Sequence, residues 1–165
     1  MDKIVHYKII FFIFVLTIKK GMFSKACEYG IKASIYIAEQ SLIEKKVGLK
    51  EVAKAIDSPE AYTSKILQLL SKHNIITSEK GPKGGFSMNK QELDKVKLST
   101  VVFAIDGDQI YTGCGLGLKK CNEKKPCPVH YQFKSIREDL KNMLETTYIK
   151  AMTTDLKIGL TFLKR

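Results

Sequence analysis

Cys114, Cys121, Cys127 and His130 follow one another at the spacing C-x6-C-x5-C-x2-H. Thiolates are soft donors that bind zinc and iron–sulfur clusters, and an imidazole completes such a set. Gly113, Gly115 and Gly117 surround the first cysteine, and a residue without a Cβ lets the backbone wrap a compact centre. The residues alone leave two chemistries open. Three thiolates and a histidine are a standard structural zinc set, yet zinc sites usually contain close C-x2-4-C pairs, and none occurs here. The fourth cysteine, Cys27, stands apart and reads as a small buried hydrophobe. Neither a catalytic acid–base pair nor a nucleotide-binding fingerprint is found, so the chain does not read as an enzyme. A ferredoxin-like electron carrier is the lesser alternative.

Length, charge and the ends of the chain narrow the class. The 165 residues suit one globular domain or a small domain with an appended dimerisation element. A 44% hydrophobic content is enough for a core. The net charge of +11, with a pI near 9.4, favours polyanionic partners such as double-stranded DNA. A disulfide framework is not expected, because three of the four cysteines cluster beside a histidine and no convincing export signal is present. The run from Ile9 to Ile18 is nearly all apolar and flanked by lysines. It is much shorter than the roughly 20 residues that span a bilayer, and no A-x-A-like cleavage site follows. Residues 1–21 are therefore read as a non-native upstream extension with Met22 the natural start, a membrane anchor being the runner-up. The expected location is the cytoplasm, with no membrane partner.

Elements that could position the donors come next. Ser24 caps a helix running to about Gln40, with Ala26, Tyr29, Ala33 and Ile37 on its apolar stripe. Leu49, Val52, Ala53 and Ile56 mark a short second helix. Asp57-Ser58-Pro59 breaks it, and Ser58 is expected to cap a third helix with Pro59 in its first turn. On that helix Tyr62, Ile66, Leu69 and Leu70 are expected inward, and Thr63, Ser64, Lys65 and Gln68 outward. Two short helices around a tight turn outline a helix-turn-helix. A strand at Ile75–Ser78, a Gly-rich turn and a returning strand at Phe86–Met88 follow, which makes a basic hairpin, or wing. Lys80 and Lys83 at its tip can reach phosphates or the minor groove. Leu98 to Ile105 forms a helix capped by Ser99, ending near Gly107. Val129, Phe133, Ile136, Leu140 and Met143 then make the a/d seam of a long helix that fails at Thr147. The seam is expected to be a dimer contact. Leu156, Leu160 and Leu163 suggest a short closing helix.

In this order the parts resemble the Rrf-two family of winged-helix transcription regulators, with its IscR-like and NsrR-like branches. The matching stretches are Phe23-Ser24-Lys25-Ala26-Cys27-Glu28-Tyr29-Gly30, Tyr62-Thr63-Ser64-Lys65-Ile66-Leu67, Gly81-Pro82-Lys83-Gly84-Gly85-Phe86 and Ala104-Ile105-Asp106-Gly107, together with the cysteine–histidine set. The resemblance covers about residues 22 to 150 and implies an iron–sulfur cluster on Cys114, Cys121 and Cys127. It offers two fourth ligands: His130, as in the IscR-like branch, or Glu28, the acidic position that the NsrR-like branch supplies from the partner subunit. His130 is taken first. The first cysteine gap, x6, is one longer than the family's usual x5. Ser64 stands where the IscR-like branch has a base-selecting glutamate, so the operator should differ.

The whole chain thus reads as mainly α with a small β-hairpin wing: a winged helix-turn-helix domain over 22–108, a cluster-binding cysteine loop over 109–130, and a dimerisation helix with its tail over 131–165. The implied function is a homodimeric, sequence-specific DNA-binding regulator, a repressor, that senses redox, nitric oxide or iron–sulfur status through a [2Fe-2S] cluster. Thr63, Ser64, Lys65, Gln68, Lys80 and Lys83 would meet DNA, and Phe133, Ile136, Leu140 and Met143 would meet the second copy. A winged-helix regulator with a zinc or thiol-switch site is the alternative.

Overall fold

The computed structural model describes residues 22–114, 116–118 and 121–161. The apolar N-terminal run and Leu163 lie outside them. Helix α1 (Lys25–Leu42) starts at Ser24, whose side chain accepts the Cys27 amide at 3.1 Å. Such a cap satisfies one of the otherwise orphaned first-turn amides. Ser24 also reaches across the fold: its amide donates to Asp106 Oδ2 at 2.9 Å and its hydroxyl to Oδ1. Asp106 is the last residue of α4 (Leu98–Asp106), so this cap ties α1 to α4. Gly30 permits their close packing, because a Cβ there would lie 2.0 Å from Ile105 Cδ1.

Helices α2 (Leu49–Ile56) and α3 (Glu60–Lys72) form the predicted pair. Asp57 takes the left-handed conformation between them, at φ 53°. Aspartate tolerates it because its short polar side chain can bond locally. Ser58 does not cap α3. Its hydroxyl is buried without a partner among the described residues, and Pro59 occupies the cap position.

The wing is a two-stranded antiparallel hairpin of β1 (Thr77–Glu79) and β2 (Gly85–Ser87), with Ser78 opposite Phe86. A third element extends it. Val47 exchanges backbone hydrogen bonds with Phe86, at 3.0 and 2.8 Å, just before α2 begins. The hairpin is thereby fixed to the helix-turn-helix.

A four-residue helix α5 (Gln109–Thr112) leads into the cysteine loop, and α6 (His130–Thr146) and α7 (Ile149–Lys157) complete the fold. Lys97 rather than Ser99 precedes α4, and no side chain caps it. Helix α6 ends where its seam fails. The closing helix ends at Lys157, so Leu160 lies beyond its end at 71% exposure. Leu98 donates its amide to Thr147 O (2.8 Å) and Ile149 to Val96 O (3.0 Å), which stitches the α6–α7 junction to the start of α4. Leu144 and Ile149, both fully buried, join the same core as Val52, Leu67 and Val101. The far end of α6 is therefore part of the same core as the α2–α3 pair.

Candidate DNA-reading surface and cysteine site

Helix α3 turns Thr63, Ile66, Leu67 and Leu70 into the core. Thr63 thus contradicts its expected outward position. It is fully buried, and its hydroxyl donates to Pro59 O at 3.0 Å, closing the first turn. Tyr62 and Leu69 move the other way, each 37% exposed, because the buried stripe is rotated by about one residue from the expected one. Tyr62 instead stacks edge-on against Tyr29, with centroids 5.8 Å apart. Lys65 and Gln68 are exposed and Ser64 is half-buried. Ser64 and Gln68 line a cleft of about 470 Å³ between α3 and the wing, together with Leu67, Ser71, Lys72, Ser78 and Phe86. Lys72 was missed in the sequence, although a cation four residues after Gln68 falls on the same helix face.

At the wing tip Lys80 and Lys83 are exposed. Gly81 (φ 104°) and Gly84 shape the turn: the Gly84 amide donates to Gly81 O at 2.9 Å, and a Cβ on Gly84 would sit 2.3 Å from Glu79 O. Lys46, on the neighbouring segment, is held by Glu79 at 2.5 Å. Neither Lys65, Lys80 nor Lys83 has an ion-pair partner among the described residues. Their charge remains available to an external anion.

The cysteine site gathers at the foot of α6. His130 opens the helix and is 3% exposed. Its Nδ1 lies 3.2 Å from Cys121 Sγ, and its Nε2 is buried with no hydrogen-bond partner among the described residues. An orphaned buried nitrogen is costly unless something uses it. Arg137, about two turns along α6, donates from Nη1 to Gly113 O at 3.3 Å and holds Nη2 3.8 Å from Cys121 Sγ. Cys114 and Cys127 are half-buried. The amide groups of Leu116 and Leu118 point at Cys114 and hold its thiol below the usual range, with the Arg137 charge adding to the effect. A cleft of about 290 Å³ beside the pair is lined also by Tyr111, Glu123, Lys134 and Lys141.

The structure brings together Cys121 and His130. Among the described residues no group of three or more metal-binding side chains forms, so Cys114 and Cys127 do not join that pair. The donor chemistry nevertheless fits a soft metal centre, on the ground of an imidazole that touches a thiol and keeps its second nitrogen unpaired in the interior. Glu28 lies in the first turn of α1 and pairs with Lys25 at 2.7 Å; no hydrogen bond joins it to the cysteine loop among the described residues. Cys27 is fully buried, and burial, with Asp106 adding to it, pushes its thiol up to about 12. It is a packing residue. On α6, Phe133 and Leu140 are half-buried within the chain's own fold, whereas Ile136 and Met143 are 58% and 44% exposed.

A helix-turn-helix with a wing locked to it by Val47 and Phe86 defines a winged-helix DNA-binding protein. Residues 23–155 match the family model for Rrf2, iron-dependent transcriptional regulator. A relative from Aquifex aeolicus, named provisionally as an HTH-type transcriptional regulator, is 30% identical over 131 residues, 78% of this chain and 89% of its own length. Among solved structures, CymR, the global cysteine regulator of B. subtilis, superposes with a TM-score of 0.65 at 19% identity, covering 79% of this chain and 95% of that one. The IscR of T. potens gives 0.65 at 17% identity over 86% and 92%. The chain belongs to the Rrf2 family and is a transcriptional regulator rather than an enzyme. Its partner is therefore DNA. Among the described residues no helix is long and apolar enough to cross a membrane.

Proposed function

We propose that this chain is a homodimeric, cytoplasmic repressor whose hold on its operator is set by a [2Fe-2S] cluster bound through Cys114, Cys121, Cys127 and His130. The observation that carries this reading is the contact between Cys121 and the buried His130 at the first residue of α6. That contact also favours His130 over Glu28 as fourth ligand. When bound, the cluster supplies a centre whose charge and ligation change with oxidation state or with nitric oxide. The protein's part is mechanical. Helix α6 carries the site at one end, Ile136 and Met143 along its outward side, and Leu144 in the core at the other end. Its junction with α7 is bonded to the start of α4. A rotation or shift of the foot of α6 therefore bears on the face that would meet the second copy and on the core beneath the reading helix.

Two copies would place their α3 helices in successive major grooves of a near-palindromic site. Ser64, Lys65 and Gln68 then face base edges, while Lys80 and Lys83 supply positioning contacts to phosphates. The test is anaerobic purification with iron and acid-labile sulfide analysis. A brown protein with about two iron and two sulfide per protomer, bleached by Cys121→Ala, is the expected result. Colourless protein carrying stoichiometric zinc after growth in iron-replete anaerobic medium would replace the cluster with a zinc site.

A further inference from the structure

The proposed ligand set uses the three loop cysteines and the histidine but leaves Arg137 without a part. Among the described residues, Arg137 is the one side chain that hydrogen-bonds to both ends of the loop's first half: Gly113 O, beside Cys114, and Cys121 Sγ. It lies on the inward side of α6, about two turns above His130 and so on nearly the same face. One guanidinium thereby links the segment before Cys114, the second cysteine and the helix that carries the histidine. Its planar fork suits this double task, because it presents several donors in fixed directions and stays charged. The neighbouring cations are engaged elsewhere, Lys134 with Glu123 at 2.6 Å and Lys141 with Glu145 at 3.8 Å.

We infer that Arg137 is a positioning residue of the cysteine site: it holds Cys121 and the segment before Cys114 to the helix that carries His130 before any metal arrives and offsets the thiolate charge once one is bound. The inference rests on the proposed function, since it takes the cysteine loop to be the ligand site. Partners outside the ligand set that orient the ligands are commonly worth roughly 10- to 100-fold in metal affinity.

The experiment is cobalt(II) titration of metal-free, reduced full-length protein under anaerobic conditions. Sulfur-to-cobalt charge-transfer absorbance counts thiolate ligands, and a competing chelator gives the affinity. Arg137→Gln should weaken cobalt roughly 10- to 100-fold and lower the thiolate intensity at saturation. Arg137→Lys, which keeps the charge and loses the fork, should recover part of the affinity but not the full intensity. Both variants should melt with wild type, because Arg137 is not a core residue. If wild type binds cobalt, Cys121→Ala abolishes the charge-transfer band and Arg137→Gln behaves as wild type, the inference fails and the site stands. If Cys121→Ala leaves the wild-type spectrum unchanged, the ligand site itself is wrong and the inference falls with it. A loss in Arg137→Gln fully restored by Arg137→Lys would reduce the residue's part to charge alone and overturn the positioning role.

Discussion

Helix α6 presents two faces that should answer mutation in opposite ways. Ile136 is 58% exposed on the outward face, whereas Leu144, two turns on, is fully buried in the core. Burying an isoleucine completely stabilises by about 1.5–3 kcal/mol. Roughly half of that surface is still open on Ile136, so a second copy can gain about 1–2 kcal/mol from it. A two-fold interface presents the same residue twice. Ile136→Asp should therefore weaken the dimer by about 2–4 kcal/mol, roughly 30- to 700-fold in dissociation constant, before the added cost of burying an unpaired carboxylate. The protomer should lose little, because the change is at its surface. Leu144→Ala removes a fully packed side chain and should cost the protomer about 2–5 kcal/mol. The assays are sedimentation equilibrium for association and urea unfolding for stability, with Leu144→Ala made in the Ile136→Asp background so that both are monomers. A dimer dissociation constant unchanged by Ile136→Asp would refute the reasoning and move the interface elsewhere on the surface.

Other expectations follow from individual contacts. Lys83→Ala should weaken binding to all DNA sequences about equally and lower the salt slope by about 1, while Lys65→Ala should cost roughly 1–3 kcal/mol on the operator alone, both read from salt titrations on specific and scrambled duplexes. Thr63→Val removes the bond to Pro59 O and should cost about 1 kcal/mol of stability in urea melts without changing base preference; a shift in preferred operator sequence would contradict the burial of Thr63. Native alkylation mapped by mass spectrometry should spare Cys27 and modify Cys114 first. Because the folded Cys114 thiol is held below its usual range, its reactivity should persist to lower pH than that of the same cysteine in the unfolded chain, and the thiolate's contribution to stability should be lost as pH falls through the folded value.

Much of the architecture was legible because its signals were local. The Ser24 cap, the break at Asp57, the Gly-rich wing turn and the failure of the α6 seam at Thr147 each rest on a few adjacent residues. Errors arose where the third dimension decided. On α3 the apolar spacing admits two stripes one residue apart, and the packing of α1 and α4 selects the one containing Thr63 and Leu67. The bridge of Val47 to Phe86 was invisible because a single extended residue carries no periodicity. Ser99 resembles a cap in sequence, but with Leu98 bonded to Thr147 α4 starts two residues earlier, after Lys97. The cysteine–histidine set was readable as a donor list. That Cys121 and His130 meet first, and that Arg137 reaches them, depends on how the loop folds back on α6, which no spacing encodes.

The measurement nearest the central claim is fluorescence anisotropy of full-length protein on its own upstream DNA and on a scrambled duplex of equal length, at fixed salt, with and without the bound cluster. The account predicts that the native duplex is preferred by 10³-fold or more in one cluster state, that the preference falls in the other, and that Cys121→Ala no longer distinguishes the two conditions. Equal affinity for both duplexes in both states would contradict it.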